Sequence, residues 1–323
     1  MAKPKVVITR KIPAAAEERA RALFDVELNA SDRPLDAAGL ARAMREADGL
    51  LPCVADKITA EVLATPGRRA KIVANYGVGY NNIDVEAAKA NGIVVTNTPD
   101  VLTEDTADLA LTLLLATARR AGEGERELRG GKWTGWRPTH MLATRVHGKT
   151  LGLIGIGRIG RAVARRAHHG FGMRIVYHDP YPLSDADAKA IGAERRDSIE
   201  AVLAESDFVS LHCPATPETR HLMNAARFAQ MRNGAILINT ARGDVVNESD
   251  LIEALQSGKI AGAGLDVFEK EPSVPAALTS MENVVLLPHL GSATTETRVA
   301  MGMRAIDNLE AFFGGTAPRD RVA

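Results

Sequence analysis

Thr150-Leu-Gly-Leu-Ile-Gly155-Ile-Gly157-Arg-Ile-Gly160 decides how this 323-residue chain reads. Its first half is an apolar, strand-like run, and a helical pattern follows at 161–167. Between them stand three glycines in the spacing G-x-G-x-x-G. Gly155 permits a tight turn, Gly157 lets the backbone approach a pyrophosphate, and Gly160 lets the helix pack close to the strand. The helix start would offer unpaired amides and a positive dipole end to phosphates. The next strand-like run ends at Tyr177-His178-Asp179-Pro180, and Asp179 follows Gly160 by 19 residues. A carboxylate about 20 residues on suits a ribose 2′-hydroxyl and repels a 2′-phosphate. The loop therefore reads as an NAD(H) site, with NADP(H) the less favoured cofactor.

Short β-branched runs alternate with helical patterns on both sides of this loop. Upstream, strands are expected at 5–9, 26–28, 49–54, 71–75 and 93–96, with helices at 13–24, 35–47, 59–64 and 85–90. A long helix follows, with Thr103 as its expected N-cap and Glu104 and Asp105 in an acidic first turn. Thr106 stands where a capping box would want Glu or Gln. The stretch 122–147 is rich in Gly and Arg, holds both tryptophans, Trp133 and Trp136, and ends the first series. Downstream, strands are expected at 150–154, 174–178, 208–211, 235–239, 262–265 and 284–287, with helices between them. A last helix, 294–313, has no strand after it and is expected to pack back on the first domain. Such alternation implies an α/β fold with doubly wound parallel sheets. Two Rossmann-like domains are expected: a discontinuous substrate domain, 1–99 and 290–323, and an inserted NAD-binding domain, 100–289.

Composition narrows the class. Lys plus Arg and Asp plus Glu are each 40, so the formal net charge is zero and no nucleic-acid partner is expected. The most apolar long stretch, 109–118, is too short to span a bilayer, so no membrane partner is expected either. The start of the chain lacks a signal-peptide pattern. With only Cys53 and Cys213 available, neither a zinc cluster nor any other metal site is expected, and the thiols read as reduced. The expected location is cytoplasmic.

Three charged residues stand out beyond the glycine loop. Arg242 sits in Ile238-Asn-Thr-Ala-Arg242-Gly243, just past an expected strand. Glu271 sits in Gly264-Leu-Asp266-Val-Phe-Glu-Lys-Glu271-Pro272, and His289 in Leu286-Leu-Pro-His289-Leu-Gly291, again past a strand. Ligands of open α/β sheets bind outside strand carboxyl ends. Arg can grip a carboxylate and polarise a keto oxygen beside it. His can give that oxygen a proton, and Glu beside it would favour the imidazolium. Residue by residue, a structural role explains each of the three as well as a catalytic one.

At these residues the chain resembles the D-isomer-specific 2-hydroxyacid dehydrogenase family, and within it the glyoxylate/hydroxypyruvate reductases. The resemblance covers nearly the whole chain. It rests on Asn75-Tyr-Gly-Val-Gly-Tyr-Asn-Asn-Ile-Asp84, the glycine loop, Leu211-His-Cys-Pro214, Ile238-Asn-Thr-Ala-Arg-Gly-Asp-Val-Val246, Gly264 to Pro272 and Leu287-Pro-His-Leu-Gly-Ser-Ala293. It implies Arg242, Glu271 and His289 as the catalytic set acting on a small 2-keto or 2-hydroxy acid. It implies that Arg242 and the backbone of Val78 and Gly79 bind the substrate carboxylate. Along the dinucleotide it implies Thr106, Gly155, Gly157, Arg158, Ile159, Gly160, Asp179, Cys213, Pro214, Thr219, Thr240, Asp266, His289 and Gly291. Asp266 and the backbone near Thr240 would hold the nicotinamide amide, and Cys213 and Pro214 would line the adenosine side.

The chain departs from the family pattern at three places. Asn81 replaces an Asp common in relatives, and Asp179-Pro180 replaces a basic residue of NADPH-preferring reductases. His140 stands where some glyoxylate reductases have a second Trp reaching into the partner subunit's site, which makes 133–147 a candidate arm of a homodimer. His168, His169 and His178 match no catalytic position. Glu271 argues against formate dehydrogenases, which pair the His with Gln. The rival reading is a dinucleotide-sensing, corepressor-like binding protein that keeps the trio without turnover.

Overall fold

A computed structural model describes residues 2–323. The chain divides into two compact units: one runs to Leu102 and takes up Ser292–Ala323, and the other is Thr103–Gly291. The expected cuts at 99/100 and 289/290 lie slightly upstream of these. Two local causes set the difference. The long helix begins at Thr103 and packs against the second unit's sheet. Leu290 and Gly291 donate their amides to Asp266, which keeps them with that unit.

The first unit contains β1 (Lys5–Ile8), α1 (Ala14–Leu23), β2 (Asp25–Leu28), α2 (Ala37–Glu46), β3 (Gly49–Leu51), α3 (Ala60–Leu63), β4 (Ile72–Ala74), α4 (Val85–Ala90) and β5 (Val94–Thr96). Its sheet is parallel throughout, in the order β2-β1-β3-β4-β5. The strands are short and their residues mostly buried because helices cover both faces.

The second unit contains α5 (Thr103–Ala118), α6 (Ala121–Arg129), β6 (Thr150–Ile154), α7 (Arg158–Phe171), β7 (Arg174–His178), α8 (Asp185–Ala190), β8 (Ala193–Arg195), α9 (Ile199–Glu205) and β9 (Phe208–Leu211). It continues with α10 (Ala225–Gln230), β10 (Ala235–Asn239), a 3₁₀ turn (Gly243–Val245), α11 (Glu248–Gln256), β11 (Ile260–Leu265), α12 (Ala276–Ser280) and β12 (Val284–Leu286). All seven strands are parallel, in the order β12-β11-β10-β9-β6-β7-β8. Side chains alternate between two cores: Leu151 and Leu153 of β6 enter one, while Val209 and Leu211 of β9 enter the other. The last helix, α13 (Thr295–Phe313), returns to the first unit, where Met301, Ile306 and Leu309 join a core with Val6, Ile8 and Ile72.

Several local readings change. Thr103 is the first residue of α5 rather than its cap. Helix α7 begins at Arg158, directly after Gly157, and runs to Phe171, longer than 161–167. The stretch 122–147 contains a helix, α6, which buries no residue and is laced by the Arg120–Glu123 and Arg129–Glu125 pairs. The strand expected at 49–54 stops at Leu51, and Cys53 makes only an isolated bridge to Tyr76. Among the described residues, no helix is long and apolar enough to cross a membrane.

Candidate active site

The strand ends of the second unit are in register. Ile154 pairs with Leu211, Leu211 with Asn239, Asn239 with Leu265, and Leu265 with Leu286. The residues beyond these ends, from Gly155 to Leu287, therefore share one edge of the sheet. The chain reverses its winding between β6 and β9, the switch point at which such sheets leave a crevice.

Gly155 adopts φ +95°, and a Cβ there would lie 2.7 Å from the His212 carbonyl carbon. A Cβ on Gly160 would lie 2.4 Å from the Gly155 oxygen. Gly155 and Gly160 are thus required by the turn and by packing. Gly157 differs: a Cβ there would meet nothing within 4 Å, so the space beside it is open. That open space at the N-terminus of α7 fits a pyrophosphate. Arg158 is exposed and Ile159 packs against the core. Asp179 accepts the Ile156 amide at 2.8 Å and the Tyr181 amide at 2.8 Å, which aims its carboxylate at the glycine loop.

Beyond β9, burial raises the Cys213 thiol to about 11, so it stays protonated at neutral pH. Thr219 is turned inward, donating to the Pro214 oxygen at 2.6 Å and accepting the Thr216 amide at 2.8 Å. Beyond β10, Asn239 closes a turn by donating to the Arg242 oxygen at 2.9 Å and accepting the Ala241 amide at 3.0 Å. The Thr240 hydroxyl is buried without a partner, a place for a ligand's polar group. Gly243 presses on the next loop so closely that a Cβ would sit 1.9 Å from the Phe268 carbonyl carbon. Burial lowers the Arg242 guanidinium pKa against the opposing pull of Glu271 and Asp244. Arginine nevertheless remains charged at any working pH.

Glu271 and His289 are joined. Glu271 Oε2 lies 2.8 Å from His289 Nδ1, and Glu271 Oε1 accepts the Phe268 amide at 3.0 Å. Burial would raise the Glu271 carboxyl, but its hydrogen bond to His289, with help from Phe268 and Arg242, holds it below the usual range. A carboxylate only accepts, so Nδ1 carries a proton toward it and Nε2 is the nitrogen left for chemistry. The His289 side chain is 32% exposed, enough for a ligand to reach.

Asp266 organises the His289 loop in a way that sequence reasoning missed. Its carbonyl accepts the His289 amide at 2.9 Å, and its carboxylate accepts those of Leu290 at 2.6 Å and Gly291 at 2.8 Å. These bonds hold His289 at φ +56°, a conformation that costs a non-glycine residue about 1–2 kcal/mol. Burial raises the Asp266 pKa despite those two amides. Thr106 completes the loop by donating to the Gly291 oxygen at 3.0 Å. A second pair, His221 Nε2 to Glu269 Oε1 at 2.9 Å, also had no signal in the sequence. His212 is half-buried, and desolvation of its ring pushes it down to about 4, so it is neutral. His168, His169 and His178 each bond a nearby backbone carbonyl. No metal-binding cluster of three or more His, Cys, Asp or Glu occurs among the described residues.

Residues 111–291 match the family model described as D-isomer specific 2-hydroxyacid dehydrogenase, NAD binding domain. Glyoxylate reductase of Thermococcus kodakarensis is 49% identical over 321 residues, covering 98% of this chain and 95% of that protein. The chain belongs to the D-isomer specific 2-hydroxyacid dehydrogenase family. It is thus an oxidoreductase that acts on a CH–OH group with NAD or NADP as acceptor. Among solved structures, it is similar to the NADPH-dependent glyoxylate/hydroxypyruvate reductase of Sinorhizobium meliloti in complex with NADP and malonate. That protein is 40% identical with a TM-score of 0.89, and the match covers 100% of this chain and 97% of that one. D-mandelate dehydrogenase of Rhodotorula graminis is 30% identical with a TM-score of 0.88, covering 100% and 98%. Arg242, Glu271 and His289 lie on loops at one edge of this dehydrogenase's seven-stranded sheet.

Proposed function

We propose that this dehydrogenase reduces a small 2-keto acid, glyoxylate or hydroxypyruvate, to the D-2-hydroxy acid with NADH. The observation that carries the reading is the 2.8 Å contact between His289 Nδ1 and Glu271. It leaves Nε2 to serve a substrate oxygen. NADH, when bound, supplies the hydride that the carbonyl carbon receives. Arg242 grips the substrate carboxylate, with the backbone amides of Val78 and Gly79, and draws electron density toward the keto oxygen. As the carbonyl π pair moves onto that oxygen, His289 delivers the Nε2 proton to it and Glu271 stabilises the imidazolium beforehand. In the oxidative direction the neutral ring takes the hydroxyl proton back.

The residues assigned to NADH are those along the glycine loop and the strand ends: Gly155, Gly157, Arg158, Ile159, Gly160, Asp179, Cys213, Pro214, Thr219, Thr240, Asp266, His289 and Gly291, with Thr106. The open space at Gly157 and the unpartnered Thr240 hydroxyl support this assignment. Asp179 favours NADH over NADPH, although the Sinorhizobium relative is NADPH-dependent. Two free cysteines fit a reducing, cytoplasmic setting.

A homodimer is part of the same reading. Leu128, Trp133, Trp136 and Leu142 are 62%, 52%, 81% and 70% exposed on α6 and the segment after it. Large apolar side chains left exposed along one segment suit burial against a second copy of the chain. His140 is tied to Glu127 at 2.9 Å, which braces the segment. A monomeric mass in solution would remove this element.

The deciding experiment is steady-state NADH oxidation with glyoxylate, hydroxypyruvate, pyruvate and phenylpyruvate. The two small polar acids are expected to give the highest kcat/KM. A preference for phenylpyruvate would overturn the substrate assignment, and no turnover with any acid would favour the corepressor-like reading.

A further inference from the structure

The loop Gly77-Val78-Gly79 follows β4 in the first unit, and every one of its carbonyls is held by a side-chain amide. Asn75 Nδ2 donates to the Gly77 oxygen at 3.3 Å and to the Gly79 oxygen at 2.9 Å. Asn97 Nδ2 donates to the Val78 oxygen at 2.9 Å. Both asparagines are buried, Asn75 completely. The donor orientation is fixed by chemistry, since backbone carbonyls can only accept. Asn75 Oδ1 in turn accepts Asn82 Nδ2 at 3.2 Å, and Asn82 also bonds the carbonyls of Cys53 and Asp56. Asn97 is held by its own backbone: its amide donates to the Asp320 oxygen, and its oxygen accepts Asn308 Nδ2.

A trans peptide sets each N–H antiparallel to the C=O of the same plane. Holding the oxygens of Gly77, Val78 and Gly79 therefore sets the directions of the Val78, Gly79 and Tyr80 N–H groups, away from the asparagines. Among the described residues, none of those three N–H groups donates to the protein. Val78 and Gly79 are half-buried, whereas their carbonyl side is packed: a Cβ on Gly77 would lie 2.5 Å from Val54 Cγ1. Free donors on one side and held acceptors on the other make an anion-binding backbone.

We propose that Asn75 and Asn97 are positioning residues for the substrate acid. They hold the loop's carbonyls back, so that its amides meet a carboxylate without reorganising. This rests on the reading that Val78 and Gly79 bind the substrate carboxylate. The two asparagines touch no reacting atom and act only through the loop.

The test has two arms. In the wild-type protein bound to NADH, amide exchange at residues 77–80 is followed with and without oxamate, a non-reacting 2-keto acid mimic. Slowed exchange is expected. Unchanged exchange overturns the carboxylate reading, and the proposal with it. In the second arm, Asn97→Asp keeps the side chain's size but turns an acceptor toward the Val78 oxygen, and Asn75→Ser is too short to reach. Each is expected to raise KM for glyoxylate about tenfold, with kcat within about threefold and the Kd for NADH unchanged. Slowed exchange in the wild type, together with an unaltered KM in Asn97→Asp, overturns the proposal alone. Asn97→Ser repeats the measurement if Asn97→Asp does not fold, as judged by NADH binding. A fall in kcat and a rise in the Kd for NADH in step with KM would make the asparagines merely structural and also overturn it.

Discussion

Asp266→Asn separates the positioning of His289 from the stability of the fold. In the native protein one carboxylate accepts two amides, Leu290 at 2.6 Å and Gly291 at 2.8 Å. An asparagine can accept from only one of them and turns an NH₂ toward the other. Losing a charge-assisted hydrogen bond costs about 1.5–3 kcal/mol, and a stranded donor costs a similar amount. The loop can escape that cost by letting His289 leave φ +56°, which recovers about 1–2 kcal/mol but breaks its alignment with Glu271. A misalignment worth about 2 kcal/mol corresponds to a loss of roughly 30-fold in kcat/KM. Stability should move less. Burial raises the Asp266 pKa in the folded state, so the folded protein holds that proton more tightly than the unfolded chain. The stability this contributes is present at low pH and is lost as pH rises through the folded value. At neutral pH the native charge thus weighs against the fold, and the neutral amide removes that penalty. The assay is kcat/KM for glyoxylate at pH 7 beside urea midpoints at pH 5 and pH 8. A kcat/KM within twofold of wild type would refute the anchoring argument. So would an activity loss fully explained by unfolding.

Three other perturbations probe separate parts of the site. Arg242→Ala should raise KM for the keto acid about 100-fold, by loss of a charge-assisted carboxylate contact worth about 3 kcal/mol, with the Kd for NADH little changed in fluorescence titration. Asp179→Ala should move the ratio of kcat/KM for NADH over NADPH toward NADPH by about tenfold, since it removes a charge that repels a 2′-phosphate. Gly243→Ala should destabilise the protein by about 3 kcal/mol or more, because its Cβ would collide with Phe268 backbone and not with a side chain that can move. Thermal unfolding checks the last of these.

The sequence was most informative where backbone geometry restricts residue choice. Gly155 and Gly160 are legible because nothing larger fits their turn and packing. The buried strands are legible as aliphatic runs such as Ala235–Asn239. Helix α6 was hidden because Ala121–Arg129 contains Gly122 and Gly124 and buries nothing, so no apolar period marks it; ion pairs hold it instead. Edge strand β8 was hidden by its length, three residues with two of them exposed. Of the trio, the residue types suggested that Glu271 partners His289, but not that Nδ1 is the ring nitrogen that faces the carboxylate. Asp266 was visible in its motif, yet its grip on Leu290 and Gly291 joins residues 24 and 25 positions apart and exists only after β11 and β12 align. The asparagines under the Gly77 loop were hidden for the same reason, since Asn75 and Asn97 meet one loop from two neighbouring strands.

The central claim is that His289, oriented by Glu271, protonates the substrate oxygen. It is tested most directly by kcat/KM for glyoxylate reduction with NADH in His289→Ala, with NADH binding measured on the same preparation. A loss of about 100-fold to 10,000-fold with the Kd for NADH unchanged is predicted. A kcat/KM within a few-fold of wild type would contradict the claim.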